Sequence, residues 1–589
     1  MTGIVLVLFL FLCAPWPHVA AAQIRYRTEI VGVDAPDLLR VLREASQLVA
    51  YEDRPPPGEA ALARRAAADL ERLDAVMRSE GYYDAVLSHT LDTTADPARV
   101  IVSIEPGSRY VLTEVHLVDP QGGQPRLLQG HAPSTFGLAI GGPARAAPIV
   151  DAEEKIVRVL REQGFPLAAV PERRVVIDQA TKTMAVTYTV DTGPLAAFGA
   201  TMVTGLDRLM RDHVDRRLQW REGALYDIRL IENTRRKLVN TGLFATVRIT
   251  PGSVVGPDGR IPINIDITER PPRSIGAGVN YDSGTGAAAR AFWEHRNLFG
   301  EAEALRLRGE LGQRRQAAST TFRKPDIFRV DQDLLADITA ENESFEAYDR
   351  TRVRAFSGLE WAIDDTLTVG AGGEIERTRI DENVRTRTYT LVGTPMFVRR
   401  DATDNLLDPR TGSRQTLTVT PYLGALGSDF TFVSSRLSAS FYHPLDDDRR
   451  FVLAAFGAVG SIVGESRDTL PKDQRLYIGG GGSIRGYGYQ LVGPLDQFGD
   501  PIGGRSSIEL GVELRIQITD TIGIVPFFEG GDVYESSLPK LSTDLFYGAG
   551  LGLRYHTPIG PVRLDVAFPL DRRPEDDAFQ IYISLGQAF

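Results

Sequence analysis

A mixed α+β N-terminal region of three repeats, followed by an all-β transmembrane barrel of about sixteen strands, is the fold class this sequence predicts. Three observations carry it. The same order of strand, helices and strands recurs between Gln23 and Arg273, each time around a glycine step: Gly81-Tyr82-Tyr83, Gly164-Phe165-Pro166 and Gly242-Leu243-Phe244. At Glu269-Arg270-Pro271-Pro272-Arg273 the helical texture stops. From there to Phe589 apolar and polar residues alternate, the period-two pattern of strands whose two sides meet different surroundings.

The first element is a leader. Ile4 to Ala14 is an apolar run, followed by Pro15, Pro17 and the small residues Ala20-Ala21-Ala22. That pattern predicts a secretory signal over residues 1–22, cleaved after Ala22. The only cysteine, Cys13, lies inside it, so the mature chain is expected to hold no disulfide. Beyond it no apolar run approaches the ~20 residues of a spanning helix, so a membrane would be crossed by strands.

Composition narrows the function classes. The 589 residues carry 66 basic and 77 acidic side chains, a net charge of −11, which disfavours nucleic acid as a partner. The eight histidines show no metal-ligand spacing, and the glycine run at Gly479 lacks the lysine of a phosphate loop. No catalytic constellation is visible; the expectation is a protein that is not an enzyme and needs no cofactor.

The repeats follow in order, at residues 23–107, 108–194 and 195–273. Their opening strands are expected at Ile24 to Val31, Tyr110 to Val118 and Phe198 to Val203. In the first, Leu70, Leu73, Val76 and Met77 form one apolar stripe of a helix that runs into Gly81 as its terminator. Units of about 80 residues are long enough to bury small cores of their own, which makes them tandem domains.

The barrel is expected over 274–589, at about 20 residues per strand with its turn. Ile508, Leu510, Val512, Leu514 and Ile516 alternate with Glu509, Gly511, Glu513 and Arg515; Val562, Leu564 and Val566 alternate with Arg563 and Asp565. Charges so regularly interleaved would be costly in a dry sandwich core and are solvated in a watery lumen. A large soluble β-sandwich is the competing reading. Gly479 to Gly482 cannot be a comfortable strand interior, so they mark a long turn and leave Arg485 as a charge on a loop.

The segment from Tyr477-Ile478-Gly479-Gly480 to Arg485-Gly486-Tyr487, with Glu513-Leu514 and Phe527-Phe528-Glu529-Gly530-Gly531, resembles the signature of the outer-membrane assembly-factor superfamily. Members of that superfamily insert or translocate other barrel proteins. The repeats resemble polypeptide-transport-associated (POTRA) domains, whose sheet edges receive extended peptides by strand addition. The resemblance implies that a loop near 478–505, carrying Arg485, Gly486 and Tyr487, folds into the lumen and pairs with Glu513 and Glu529. Alternation independently puts Glu513 on the luminal face, while Gly530-Gly531 blurs the parity at Glu529. It also implies the outer membrane of a Gram-negative bacterium, with the repeats in the periplasm and outer-membrane lipid around the barrel.

Further motifs extend the likeness. His295-Arg296-Asn297-Leu298-Phe299-Gly300-Glu301, Asp401 with Asp404-Asn405 and Asp408-Pro409 before Gly412, and Thr557-Pro558-Ile559-Gly560-Pro561 are turn chemistry. The aspartate group is also a candidate calcium site. The C-terminal strand ending at Phe589 looks like the sorting signal by which barrel proteins are recognised for insertion. Three repeats resemble the TamA branch, the outer-membrane half of the translocation and assembly module, which would imply outer-membrane client proteins and a TamB-like inner-membrane-anchored partner.

An insertase must offer a sheet edge that a closed barrel lacks. The expected place is the seam between Ile275, Gly276 and Gly278 on the first strand and Ile583, Leu585 and Gly586 on the last, where glycines weaken the ladder. A two-partner-secretion-type export pore and a passive channel are the alternatives.

Overall fold

The computed structural model describes residues 23–381, 386–540, 544–558 and 560–588. The expected leader, residues 1–22, and the expected sorting residue Phe589 lie outside the described residues. Two compact units emerge. One runs to Met202 and includes Gln219–Asn233 and Ile249–Ile265; the other comprises Val203–Leu218, Thr234–Arg248 and the chain from Asp266 onward.

In the first unit, β1 (Tyr26–Val31) precedes three helices, Pro36–Ala45, Gln47–Ala50 and Glu59–Ser79, and then β2 (Val86–Asp92) and β3 (Ala98–Glu105). The sheet order is β1-β3-β2, with β3 parallel to β1 and antiparallel to β2. Leu62, Ala66, Leu73 and Met77 recur on one helical face and pack beneath Val100 and Val102, so the period-3.6 stripe and the period-two strand share one core. The buried Asp69 accepts hydrogen bonds from Ser46 Oγ at 2.6 Å and from the Gln47 amide at 2.8 Å, which satisfies the start of the four-residue helix.

The second repeat has β4 (Val111–Val118), the helix Ala146–Glu162, β5 (Ala169–Asp178) and β6 (Thr183–Asp191), in the order β4-β6-β5. Where a first helix was expected there are two 3₁₀ turns, Arg126–Leu128 and Pro133–Phe136. Pro120, Gly122, Gly123, Pro125 and Pro133 explain it, because they remove amide donors and raise the entropy cost of a continuous helix. The first two repeats meet through Asp84, which accepts from Tyr110 Oη at 2.9 Å and pairs with Lys182, and through Arg145 and Glu80 at 2.9 Å. The third repeat supplies β7 (Ala197–Thr204), β8 (Phe244–Pro251) and β9 (Arg260–Glu269), ordered β7-β9-β8.

The second unit is dominated by a closed antiparallel barrel from Arg273 to Leu585. Among the described residues it has sixteen strand positions, because Thr386–Gly393 and Met396–Asp401 both pair with the same two neighbours and are halves of one interrupted strand, the eighth. Pro395 in the gap has no amide to donate, and Pro421 opposite it on the ninth strand, Gly412–Ala425, has none either. Alternation sorts the wall. On the twelfth strand, Ser506–Gln517, Leu510 is 49 % exposed while Glu509 and Glu513 are buried. Such apolar residues pointing outward are what a lipid-facing wall requires. Arg217, from Val203–Leu218, pairs with the buried Asp326 in the turn after the fourth strand at 2.7 Å, with His213 beside them.

Candidate functional site

The connection from the eleventh strand, Phe451–Val463, to the twelfth is the long one, and it folds into the barrel. Ile478, Ile484, Tyr487 and Val492 form a small apolar core with Val533 of the thirteenth strand, Ile522–Tyr534. The loop is folded on itself by a bridge between Ile478 and Val492, with the Gly479 amide donating to Ser483 Oγ at 3.1 Å. Gly486 has φ +102°, and a Cβ there would sit 2.8 Å from the Phe568 carbonyl, so both conformation and space demand glycine.

Turning at Gly486 drives Arg485 into the wall, where it is 0 % exposed. Its Nη2 donates to Glu513 Oε1 at 2.7 Å, its Nη1 to Asp565 Oδ2 at 2.8 Å, and its Nε and Nη2 to Glu529 Oε1 at 2.9 and 2.5 Å. The Arg485 amide adds a bond to Glu529 Oε2 at 2.7 Å. The guanidinium carbon also lies 3.5 Å from the centroid of the Phe527 ring, a cation–π contact that covers its remaining face. A planar fork with five donors is the one side chain that can meet three carboxylates at once.

Both expected partners therefore converge on Arg485, and Glu529 is luminal despite the glycines that follow it. Asp565, on the fifteenth strand (Gly560–Pro569), is the partner that sequence reasoning missed. Its luminal parity was readable from the alternation with Val562, Leu564 and Val566, but its separation of 80 residues from Arg485 left nothing to link them. Around the triad Arg515 donates to Glu513 Oε2 at 3.1 Å, Arg554 pairs with Asp565, and Arg563 donates to Ser584 Oγ at 2.7 Å and to the Gly481 carbonyl at 3.2 Å. Tyr487 donates to the Tyr547 carbonyl at 3.0 Å. Mixed charges in ring order satisfy one another, which is what makes their burial tolerable.

The seam differs from its expected form. Pairing between the first strand (Arg273–Asp282) and the last (Gln580–Leu585) is confined to Tyr281 opposite Ile583 and Asp282 opposite Tyr582, with the Ser283 amide donating to the Ile581 carbonyl at 3.1 Å. Ile275, Gly276 and Gly278 pair with the second strand alone among the described residues, and Leu585 pairs with Val562 of the fifteenth. The ladder is thus not a weak continuous one with glycines in it: among the described residues, none pairs with the first strand on this side over Ile275 to Asn280. The physical reason is the shortness of the last strand, which ends at Gly586 in a left-handed turn of φ +93°. Ile275 and Val279 are 82 % and 85 % exposed on the resulting edge.

Among the described residues no group of three metal-ligating side chains converges. Asp401, Asp404 and Asp408 are engaged by arginines and turn amides: Arg414 reaches Asp401 at 2.8 Å, and Asp404 accepts the Arg410 amide at 2.9 Å. At Asp404 the cost of burial is outweighed by the amides of Arg410 and Thr411 and by the Arg449 charge, which hold that carboxyl below the usual carboxylate range.

A sixteen-position barrel with a lipid-facing exterior, preceded by small mixed sheets and filled by an arginine-bearing loop, defines an outer-membrane β-barrel protein of the Gram-negative envelope. Residues 297–589, nearly the whole barrel, match the Omp85 superfamily domain, and this part of the chain belongs to that superfamily. It is 23 % identical over 549 residues to the outer membrane protein assembly factor BamA of Nitratidesulfovibrio vulgaris, covering 88 % of this chain and 67 % of that one. To BamA of Neisseria meningitidis serogroup B it is 21 % identical, covering 89 % and 73 %. The crystal structure of Haemophilus ducreyi BamA lacking POTRA domains 1–3 superposes with a TM-score of 0.65 at 21 % identity, over 80 % of this chain and 99 % of that one. The repeats are thus POTRA-type domains on the periplasmic side, and the Arg273 end of the first strand is the periplasmic end.

Proposed function

We propose that the protein assembles other β-barrel proteins into the outer membrane, presenting the bare edge of its first strand as a template. The observation that carries this reading is the seam: over Ile275 to Asn280 the first strand has hydrogen-bonded partners on one side alone among the described residues. In hydrocarbon an unmatched row of amides and carbonyls costs several kcal/mol per group, so an incoming strand that pairs with it lowers the free energy. That gives a driving force without nucleotide or catalysis, and the protein acts without a cofactor.

Capture would begin in the periplasm. Strand β5 is an edge of its sheet, and Val175, Val176 and Ile177 on it are all exposed, an unusual run for a soluble domain. An extended client segment added there would satisfy both its backbone and its apolar side chains. Arg485, bonded to Glu513, Glu529 and Asp565, locks the loop against the wall during this exchange. Three repeats favour the TamA branch, with autotransporters among the clients and a TamB-like partner anchored in the inner membrane.

The test is site-specific cross-linking from a photoreactive residue at Val279 to a client barrel during assembly, scored against the same probe at Leu437 on the far wall. Adducts to the client's terminal strand from Val279 alone are expected. Adducts from neither, with conductance of a wide constant pore in planar bilayers, would favour the passive channel.

A further inference from the structure

The turn between the eighth and ninth strands is more than a connection. Asp404 Oδ1 accepts the amides of Arg410 and Thr411 at 2.9 and 3.2 Å, and Asn405 Oδ1 accepts those of Leu407 and Asp408 at 2.8 and 3.1 Å, so the segment 402–411 is folded into a fixed shape by its own side chains. From there it crosses the periplasmic mouth. Arg410 Nη1 donates to Gln517 Oε1 at 2.9 Å, Arg515 Nη1 donates to the Pro409 carbonyl at 3.0 Å, and Arg449 lies 3.4 Å from Asp404. These contacts fix the turn to the bases of the tenth to twelfth strands.

Its far tip reaches the chain just past the last strand. The Gln587 amide donates to the Leu407 carbonyl at 3.2 Å, Gln587 Nε2 donates to Asp408 Oδ1 at 2.7 Å, and Arg554 Nε donates to Gln587 Oε1 at 2.9 Å. His556 Nδ1 stands 3.7 Å from the other Asp408 oxygen. Gly586 makes this possible: its amide still bonds the Pro561 carbonyl at 2.8 Å, and its left-handed φ then sends Gln587 toward the mouth instead of along the first strand.

We infer that the turn at 402–411 is a tether which, through Asp408 and the Leu407 carbonyl gripping Gln587, holds the end of the last strand away from the first and keeps the periplasmic half of the seam unzipped. Asp408 and Gln587 are positioning residues. With the tether released, the register set by Tyr281 opposite Ile583 extends by two residues, placing Asn280 opposite Ser584 and Val279 opposite Leu585. This deepens the reading of the seam as a template and rests on it for its consequence to clients. The geometry itself is independent of what the barrel assembles.

The experiment uses the full chain with Cys13, the only native cysteine, as background. Cysteines at Val279 and Leu585 report zipping under a mild oxidant; a second pair, at Tyr281 and Ile583, reports the part already paired. In the otherwise native chain the first pair should cross-link poorly and the second well. Asp408→Ala, and separately Gln587→Ala, should raise the first yield several-fold while leaving the second unchanged. Gln587→Ala alters the tail alone, so it remains informative if Asp408→Ala fails to fold. Equal Val279–Leu585 yields with and without Gln587→Ala, in protein whose Tyr281–Ile583 pair still forms, would overturn the tether. Unchanged client assembly in variants whose Val279–Leu585 pair now forms would instead count against the templating role.

Discussion

The hydroxyl of Tyr582 donates to the carbonyl of Tyr487 at 3.3 Å and accepts the amide of Gly486 at 3.2 Å, so the last strand is bonded to the luminal loop at the point where it also faces Asp282 across the seam. Tyr582→Phe should remove both bonds and leave the buried Gly486 amide unsatisfied, at about 1–3 kcal/mol. The expected outcome is faster proteolysis within 478–505 with the barrel still folded, read by limited digestion and gel mobility.

Arg485→Ala would leave Glu513, Glu529 and Asp565 buried with their main counter-charge gone. A loss of about 3–5 kcal/mol is expected, enough to lower clearly the temperature at which the folded band converts to the unfolded one. Arg485→Lys should recover part of it at most, because a single ammonium cannot span three carboxylates as the guanidinium fork does.

At Gly486 the cost is steric. Gly486→Ala puts a Cβ 2.8 Å from the Phe568 carbonyl at a φ that side chains avoid, so a destabilisation of about 1–3 kcal/mol is expected. Gly482→Ala, with open space around its Cβ, is the control that should change little.

The contact between the first two repeats should weaken in acid. Lys182 first, and Tyr110 second, hold the Asp84 carboxyl below its ordinary range, and Lys182 is raised in turn. A depressed carboxylate contributes stability above its unfolded value and loses it as pH falls through the folded one. Hydrogen exchange over Val111–Val118 should therefore accelerate toward low pH, and Asp84→Asn should abolish that dependence.

His213 titrates in the opposite sense to a paired histidine. Burial, and then the Arg217 charge, push it down to about 4 despite Asp326. The unfolded chain binds this proton more readily, so the folded state is penalised progressively as pH falls from about 6.5 toward 4, by up to about 3 kcal/mol. His213→Gln should flatten the pH dependence of exchange in Arg211–Asp215 across that window.

Much of this was legible in the residues. Period-two alternation identified the wall and put Glu513 and Asp565 inside, since one pleat separates lipid from lumen. Gly479 to Gly482 signalled a turn, and Arg485 beside them signalled a charge needing partners. What stayed hidden depends on closure. Nothing local ties Asp565 to Arg485, and the gap at the seam arises because the last strand is short and bends at Gly586, toward a turn about 180 residues earlier in the chain. The 3₁₀ turns at Arg126–Leu128 and Pro133–Phe136 were readable in principle from their prolines, but the regularity of the repeats overrode that local signal.

The interrupted eighth strand has a mechanical consequence. Counting round sixteen positions, the eighth strand lies about half a circumference from the first and the last, and there Pro395 withholds an amide from the ladder with the seventh strand while Pro421 withholds one from the ladder between the eighth and the ninth. A hoop that parts along one line must flex along another, and the compliant line stands diametrically opposite the slit. Were the slit to widen, the bend would fall at the prolines, and the stiffer arcs on either side would swing as two intact leaves.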